Sequence, residues 1–213
     1  PLSVVSPARL AAGAFTLISS APAGHNGVIV PGGSPAVNGS SVDVELALSN
    51  TGGATVNFSA NPPVLNAPTG SGLTTETLSA PALLESGTTA VLRFRVSADP
   101  TAPETPLQGG VFLTASIAGK DALSDAAVVL DPAPLPLKLR VRKLPVVTAV
   151  DPSYGSRDRA NAITVKGTGF LGATKVELLT SPPLTLTESP AVSADGTTIS
   201  GLTVQSKLPL NKY

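Results

Sequence analysis

Ser41-Val-Asp-Val-Glu-Leu-Ala-Leu-Ser49 decides how this chain folds. Val42, Val44, Leu46 and Leu48 fall on one face and Asp43 and Glu45 on the other. That is the period-two pattern of a strand with one buried face. The stretch after it, Asn50-Thr-Gly-Gly53, carries turn chemistry, and Ala54 to Ser59 reads as a returning strand. Further along, Thr88 to Ser97 places Leu92, Phe94 and Val96 inward and Arg93 and Arg95 outward. Val111 to Ala118 alternates again behind Gly109-Gly110, and Asp125 to Leu130 adds a short apolar run. No window before residue 132 has helical periodicity. Several short strands separated by turn signals imply a β-sandwich of about seven strands.

Composition agrees with a β-rich chain. Of 213 residues, 42% are hydrophobic, 13% charged and 3% aromatic, with 20 Gly, 21 Pro and no Cys, Met or Trp. The lack of cysteine removes disulfide scaffolds, thiolate metal sites and cysteine nucleophiles. Pro, Gly or a polar residue interrupts every apolar run well before the ~18 positions of a membrane-spanning helix. Abundant aliphatic residues and zero net charge exclude a disordered tail. The chain opens at Pro1 rather than Met, as expected of a mature product or a piece of a longer protein.

Zero net charge conceals an asymmetry. Residues 1–137 carry a net −5 and residues 138–213 a net +5. The change falls beside Asp131-Pro-Ala-Pro-Leu-Pro136, a proline-rich stretch that reads as an extended connector. The expected organisation is an N-terminal extension or donor-type strand over residues 1–35, a first immunoglobulin-like sandwich over 36–131, a linker with a basic strand over 132–145, and a second sandwich over 146–213. The fold class is all-β, two tandem immunoglobulin-like β-sandwiches joined by a proline-rich linker.

Two resemblances sharpen this. The first sandwich resembles the bacterial cell-adhesion-related (CARDB-like) modules. The resemblance rests on Ser49-Asn-Thr-Gly-Gly53, on Leu84-Glu-Ser-Gly-Thr-Thr-Ala90 leading into Leu92-Arg-Phe-Arg-Val96, and on the strand led by Gly110. In that family such turns organise hairpins rather than catalysis. Residues 145–213 are similar to the IPT/TIG family of immunoglobulin-like domains. Here the carrying residues are the Pro152–Gly155 turn, the Gly167-Thr-Gly169-Phe170 corner and a following strand with Val176. Pro152 is expected to fix the turn, the glycines to allow positive φ, and Phe170 to fill the core. The family pattern continues into a closing strand beyond Leu208-Pro-Leu-Asn-Lys-Tyr213, so an open second sandwich is expected. Its missing strand would come from following chain, from a neighbouring subunit, or from Ala14-Phe-Thr-Leu-Ile-Ser19.

Chemistry-bearing residues are sparse. Gly167-Thr-Gly-Phe-Leu-Gly172 is a formal G-x-G-x-x-G, with Glu188 near the position of a ribose-binding acid. Pro182-Pro183 and the strand formers Thr174, Val176 and Thr180 oppose the helix that such a site needs, so a hairpin corner is expected. His25, the sole histidine, sits in Ala-Gly-His-Asn-Gly and is expected in an exposed loop. No catalytic residue, cofactor or metal ligand set is expected. Asp121 with Asp125, and Asp43 with Glu45, read as solvated carboxylates.

The strongest charge feature is Lys138-Leu-Arg-Val-Arg-Lys143, a strand whose basic face would carry Lys138, Arg140 and Arg142, with Lys143 following. It reads as a charged edge strand or as a surface for protein partners or anionic polysaccharide. Scarce aromatics argue against nucleic acid. The functional expectation is a non-enzymatic extracellular or cell-surface structural or adhesion protein, a subunit of a filament or surface assembly, with protein partners or self-association. The alternatives are an accessory carbohydrate-binding module of a secreted polysaccharide-degrading enzyme and a viral tail or capsid decoration protein.

Overall fold

The structure, a computed structural model, describes residues 5–18, 27–31, 40–106, 108–156, 158–179, 183–187 and 189–205. It is all-β, with no helix among the described residues, and none long and apolar enough to cross a membrane. The chain divides into two compact units, residues 1–103 with 110–141, and residues 104–109 with 142–213.

The first unit holds β1 (Leu10–Ile18), β2 (Val28–Ile29), β3 (Ser41–Asn50), β4 (Val56–Asn57), β5 (Val64–Asn66), β6 (Leu73–Ser79), β7 (Leu83–Leu84), β8 (Thr89–Ala98), β9 (Val111–Ser116), β10 (Ala118–Asp121), β11 (Ala127–Val129) and β12 (Leu137–Val141). One sheet runs β1-β3-β8-β6, all antiparallel. Opposite it, β9 and β10 form a nearly continuous strand broken at Ile117. β12 and β11 pair along one side of it, β5 and β4 along the other, β2 lies outside β12 and β7 outside β4. The inward residues of both layers merge into one core. Val44, Leu46, Leu48, Leu92 and Phe94 of the first sheet and Leu113, Leu139 and Val56 of the second are buried in it.

The alternation of residues 41–49 therefore reads correctly, but the hairpin expected after it does not form. β3 pairs with β1 and β8, while the Ala54–Ser59 stretch supplies only β4, which crosses to the other layer. Buried Asn50 explains the turn. Its Nδ2 donates to the carbonyls of Ala54 (2.7 Å) and Leu84 (3.0 Å), and its Oδ1 accepts from the N–H of Gly52 (3.0 Å). Those bonds hold the exit of β3 against the start of β4 and the end of β7. A buried amide with its capacity met is stable where an orphaned one would not be.

Two further expectations are corrected. Leu10–Ile18 pairs with β3 inside the first unit, so Ala14 to Ile18 are engaged there and are not a strand awaiting the second sandwich. Residues 137–141 are not part of a linker: β12 is flanked by β9 and β2 and buries Leu137, Leu139 and Val141. The basic strand is thus an interior strand rather than an edge.

The second unit holds β13 (Val146–Asp151), β14 (Asn161–Thr168), β15 (Val176–Leu178), β16 (Leu184–Thr187), β17 (Ala191–Val192) and β18 (Thr198–Val204). Its main sheet runs β13-β14-β18-β17, and β15 and β16 make a separate hairpin. Its core is small. Val165, Phe170, Ile199 and Leu202 are buried, with Ile163, Val176, Leu186 and Val192 half-buried beside them.

Candidate functional site: an apolar groove beside a strand edge

The sequence-selected residues of the second unit fall at opposite ends of the β13–β14 pair: Pro152 and Gly155 follow its Asp151 end, while Gly167, Gly169 and Phe170 form a corner beside its Val146 end. Phe170 is buried, as expected of a core aromatic. Positive φ occurs at Gly169 (+73°) but not at Gly155 or Gly167. Those two glycines serve by close approach. A Cβ at Gly167 would strike the Val146 carbonyl and the Phe170 ring, and one at Gly155 would meet the Asn161 side chain at 2.7 Å. Asn161 organises the loop after Pro152, its Oδ1 accepting from the Ser156 N–H (2.8 Å) and its Nδ2 donating to the Ser156 (2.6 Å) and Arg159 (3.0 Å) carbonyls. No helix follows Gly172; residues 173–175 lead directly into β15. Glu188 lies outside the described residues.

The corner opens onto a groove of about 500 Å³. Val147, Val150, Val165, Phe170, Val176 and Ile199 are among its lining residues. Its flank β13 is written as Val-Val-Thr-Ala-Val-Asp, yet every residue of it is exposed, Val147 at 59%. Among the described residues β15 pairs only with β16, so its other backbone edge carries no strand. Lys175 Nζ and Glu177 Oε1 form an ion pair at 2.8 Å at this rim. That pair and its attendant hydrogen bond hold the Glu177 carboxyl below its ordinary range against the opposing effect of burial. An apolar trough beside a row of unpaired N–H and C=O groups is what strand addition requires.

No protein-family model matches this chain, and none of the curated proteins does.

The four basic residues separate. Lys138 and Arg140 project from β12 in the first unit, whereas Arg142 and Lys143 belong to the second. Arg142 is turned onto residues 105–106: its guanidinium donates to the Thr105 carbonyl, to Thr105 Oγ1 (3.0 Å) and to the Pro106 carbonyl (3.5 Å). The Lys143 N–H donates to Glu104 Oε1 at 3.5 Å. Burial pushes the Glu104 carboxyl up, opposed by that bond and by the charges of Arg142 and Lys143. Arg142 thus anchors a loop rather than extending the basic face of β12.

The acidic pairs are also placed. Asp43 and Glu45 receive Arg95 and Arg93, each at 2.7 Å, across the β3–β8 register. Asp125 pairs with Lys120 at 2.7 Å. Asp121 is buried and accepts N–H bonds from Ala8 (2.8 Å), Leu123 (2.9 Å) and Ser124 (3.0 Å). Those bonds, the Ala8 one foremost, hold its carboxyl below the usual range. Among the described residues, no group of three or more His, Cys, Asp or Glu could hold a metal. His25 lies outside the described residues.

Sequence reasoning names Phe170 and Val176 and the turn at Asn50, but not Val147, Val150, Val165 and Ile199 of the groove, nor the buried hydrogen bonds of the Asn50 amide. The available signal was β13 itself, four apolar residues in six with no cover specified for them.

Proposed function

We propose that this chain is a non-enzymatic structural or adhesion protein of the cell surface or extracellular space, built from tandem immunoglobulin-like sandwiches and assembled by strand addition to its second unit. The observation that carries this reading is the 500 Å³ apolar groove lined in part by β15, whose second edge carries no strand among the described residues. The occupant is an extended protein segment whose alternate apolar side chains enter the groove while its backbone pairs with β15. Supporting it, Val146, Val147 and Val150 stand exposed on β13, whereas the alternate apolar residues of β3 are buried. Paired with the low charge and Thr- and Ser-rich turns of the sequence, this suits a spacer or filament subunit at the cell surface better than a catalyst.

Sedimentation of the purified chain over a range of concentrations tests the reading. Concentration-dependent association is expected, and Val147→Glu, which places a charge on an exposed groove wall, should abolish it without lowering the melting temperature. A chain that stays monomeric throughout, or whose association ignores Val147→Glu, contradicts the proposal.

A further inference from the structure

The two ends of the first unit's sheet β1-β3-β8-β6 are finished differently. At one end β6 is laced to the other layer: Thr75 Oγ1 donates to the Leu65 carbonyl (2.6 Å) and Thr77 Oγ1 to the Pro63 carbonyl (3.0 Å). A charge, Glu76, stands on the same strand. At the other end β1 has no such finish. Among the described residues it pairs only with β3, apart from the bridge of Leu10 to Leu130, so its second edge carries no strand from Ala11 to Ile18. None of its nine residues is charged or proline, the usual guards of an exposed edge. Its one guard is the bulge between Ala12 and Phe15, which leaves Phe15–Ile18 in regular register with β3.

The core is also unfinished on this side. Phe15 lies opposite Leu46 and Leu17 opposite Val44, so both turn towards the interior. Leu46 and Val44 are fully buried, yet Phe15 and Leu17 are only half-buried against the core. Thr16, opposite Glu45, takes the outer face and is exposed. A strand laid along β1 would cover the flanks of Phe15 and Leu17 and pair the open backbone groups together.

We infer that a second copy of this chain supplies that strand, the two β1 edges pairing antiparallel about a two-fold axis to join their sheets into one. A two-fold axis normal to the sheet keeps both core faces on the same side, so opposed residues must share a facing. Placing Thr16 on the axis meets that condition. Phe15 then opposes Leu17 of the copy on the core side, Leu17 opposes its Phe15, and Thr16 meets Thr16 on the outer side. Each half-buried side chain gains an apolar cover, and Thr–Thr is a favourable cross-strand pair. Like charges do not oppose the union. Glu45, beside Thr16, is held by Arg93 and would stand about 14 Å from its copy, three strand spacings of about 4.8 Å and beyond a Debye length of about 8 Å. A ladder this short is marginal by itself, so the contact is transient and is read by trapping rather than by sedimentation. It lies on the first unit and does not rest on the groove.

The chain has no cysteine, which allows a direct trap. Thr16→Cys places one thiol on the proposed axis, and mild oxidation of the full chain should yield a disulfide-linked dimer on non-reducing electrophoresis. Ser79→Cys, an exposed position on the laced strand β6, should stay monomeric under the same oxidation. Adding Ala14→Lys to Thr16→Cys should suppress the dimer with an unchanged melting temperature, because a lysine guards a strand edge. Adding Val147→Glu instead should leave trapping intact, which separates this edge from the groove. No disulfide dimer, an equal yield from Ser79→Cys, indifference to Ala14→Lys, dependence on Val147, or capture of a different protein's strand in place of a copy would each overturn the assignment.

Discussion

The two units use the same alphabet and reach opposite outcomes. In the first, the described core contains 22 buried apolar residues drawn from both layers. In the second it contains four, and a strand as apolar as β13 lies open. The difference is cover. A strand's apolar pattern states that one face wants burial, but burial needs an opposing layer, and among the described residues the second unit's opposing layer is the hairpin of β15 and β16. Two short strands are marginal as a layer of their own. Burial energy scales with area removed from water, so the first unit is expected to carry most of the chain's stability.

The largest test of that contrast removes one fully buried side chain from the first unit. Phe94→Ala should cost about 3–5 kcal/mol, whereas Val147→Ala on the exposed β13 should change stability by under about 0.5 kcal/mol. Denaturant midpoints for the two variants measure this directly, and similar costs would erase the distinction between the units.

Asn50→Ala comes next. It strips the carbonyls of Ala54 and Leu84 and the N–H of Gly52 of their partner, and leaving buried groups unsatisfied should cost about 1–3 kcal/mol. Asn50→Asp should not restore it, because a carboxylate cannot donate to the two carbonyls. Urea unfolding monitored by circular dichroism reads both.

Asp121 gives the first unit an acid-sensitive fastening. Its folded carboxyl titrates below its unfolded value, so its contribution is fully present above the ordinary value of 3.8 and disappears as pH falls through the lower folded value. Melting temperature should therefore drop below about pH 4, and Asp121→Asn should flatten that part of the profile while lowering stability at neutral pH. An unchanged acid limb in the variant would remove Asp121 from the account.

The smallest effect belongs to the exposed ion pair of Lys166 with Asp151, 3.3 Å apart on the second unit's main sheet. Lys166→Ala should cost at most about 1 kcal/mol and less in high salt. A larger loss would mean that the thin core of this unit leans on its surface charges more than its geometry indicates.

Facing was legible in the sequence, and partnering was not. β3 and β8 announce their inward residues by alternation, and the arginines of β8 announce the outward side. Nothing local states that β3 lies between β1 and β8, because those contacts join residues 25 to 56 positions apart. β12 shows the cost. Its charges alternate as an edge strand's would, yet buried Leu137, Leu139 and Val141 place it inside the sheet. The Val111-to-Ala118 stretch was ambiguous in another way, since Phe112 is apolar in the outward phase. Burial of Leu113 and Ile117 resolves the phase and leaves Phe112 in solvent. At the glycines of the second unit the residues were legible and their reason only partly so, because the close approach of Gly167 to Val146 or of Gly155 to Asn161 exists only once the fold brings those groups near.

The parallel pairings of the first unit have a mechanical meaning. Leu10 bridges Leu130 in parallel, and β2 runs parallel to β12, with the Arg140 N–H on the Gly27 carbonyl at 2.6 Å. Tension entering near Leu10 and leaving at Val141 drags these parallel neighbours in opposite directions along their length. Their hydrogen bonds then bear load side by side and fail together, instead of opening one after another as an antiparallel hairpin pulled from its ends would. Stretching a single molecule should accordingly show one abrupt rupture for this unit, and a gradual low-force opening would exclude such a clamp.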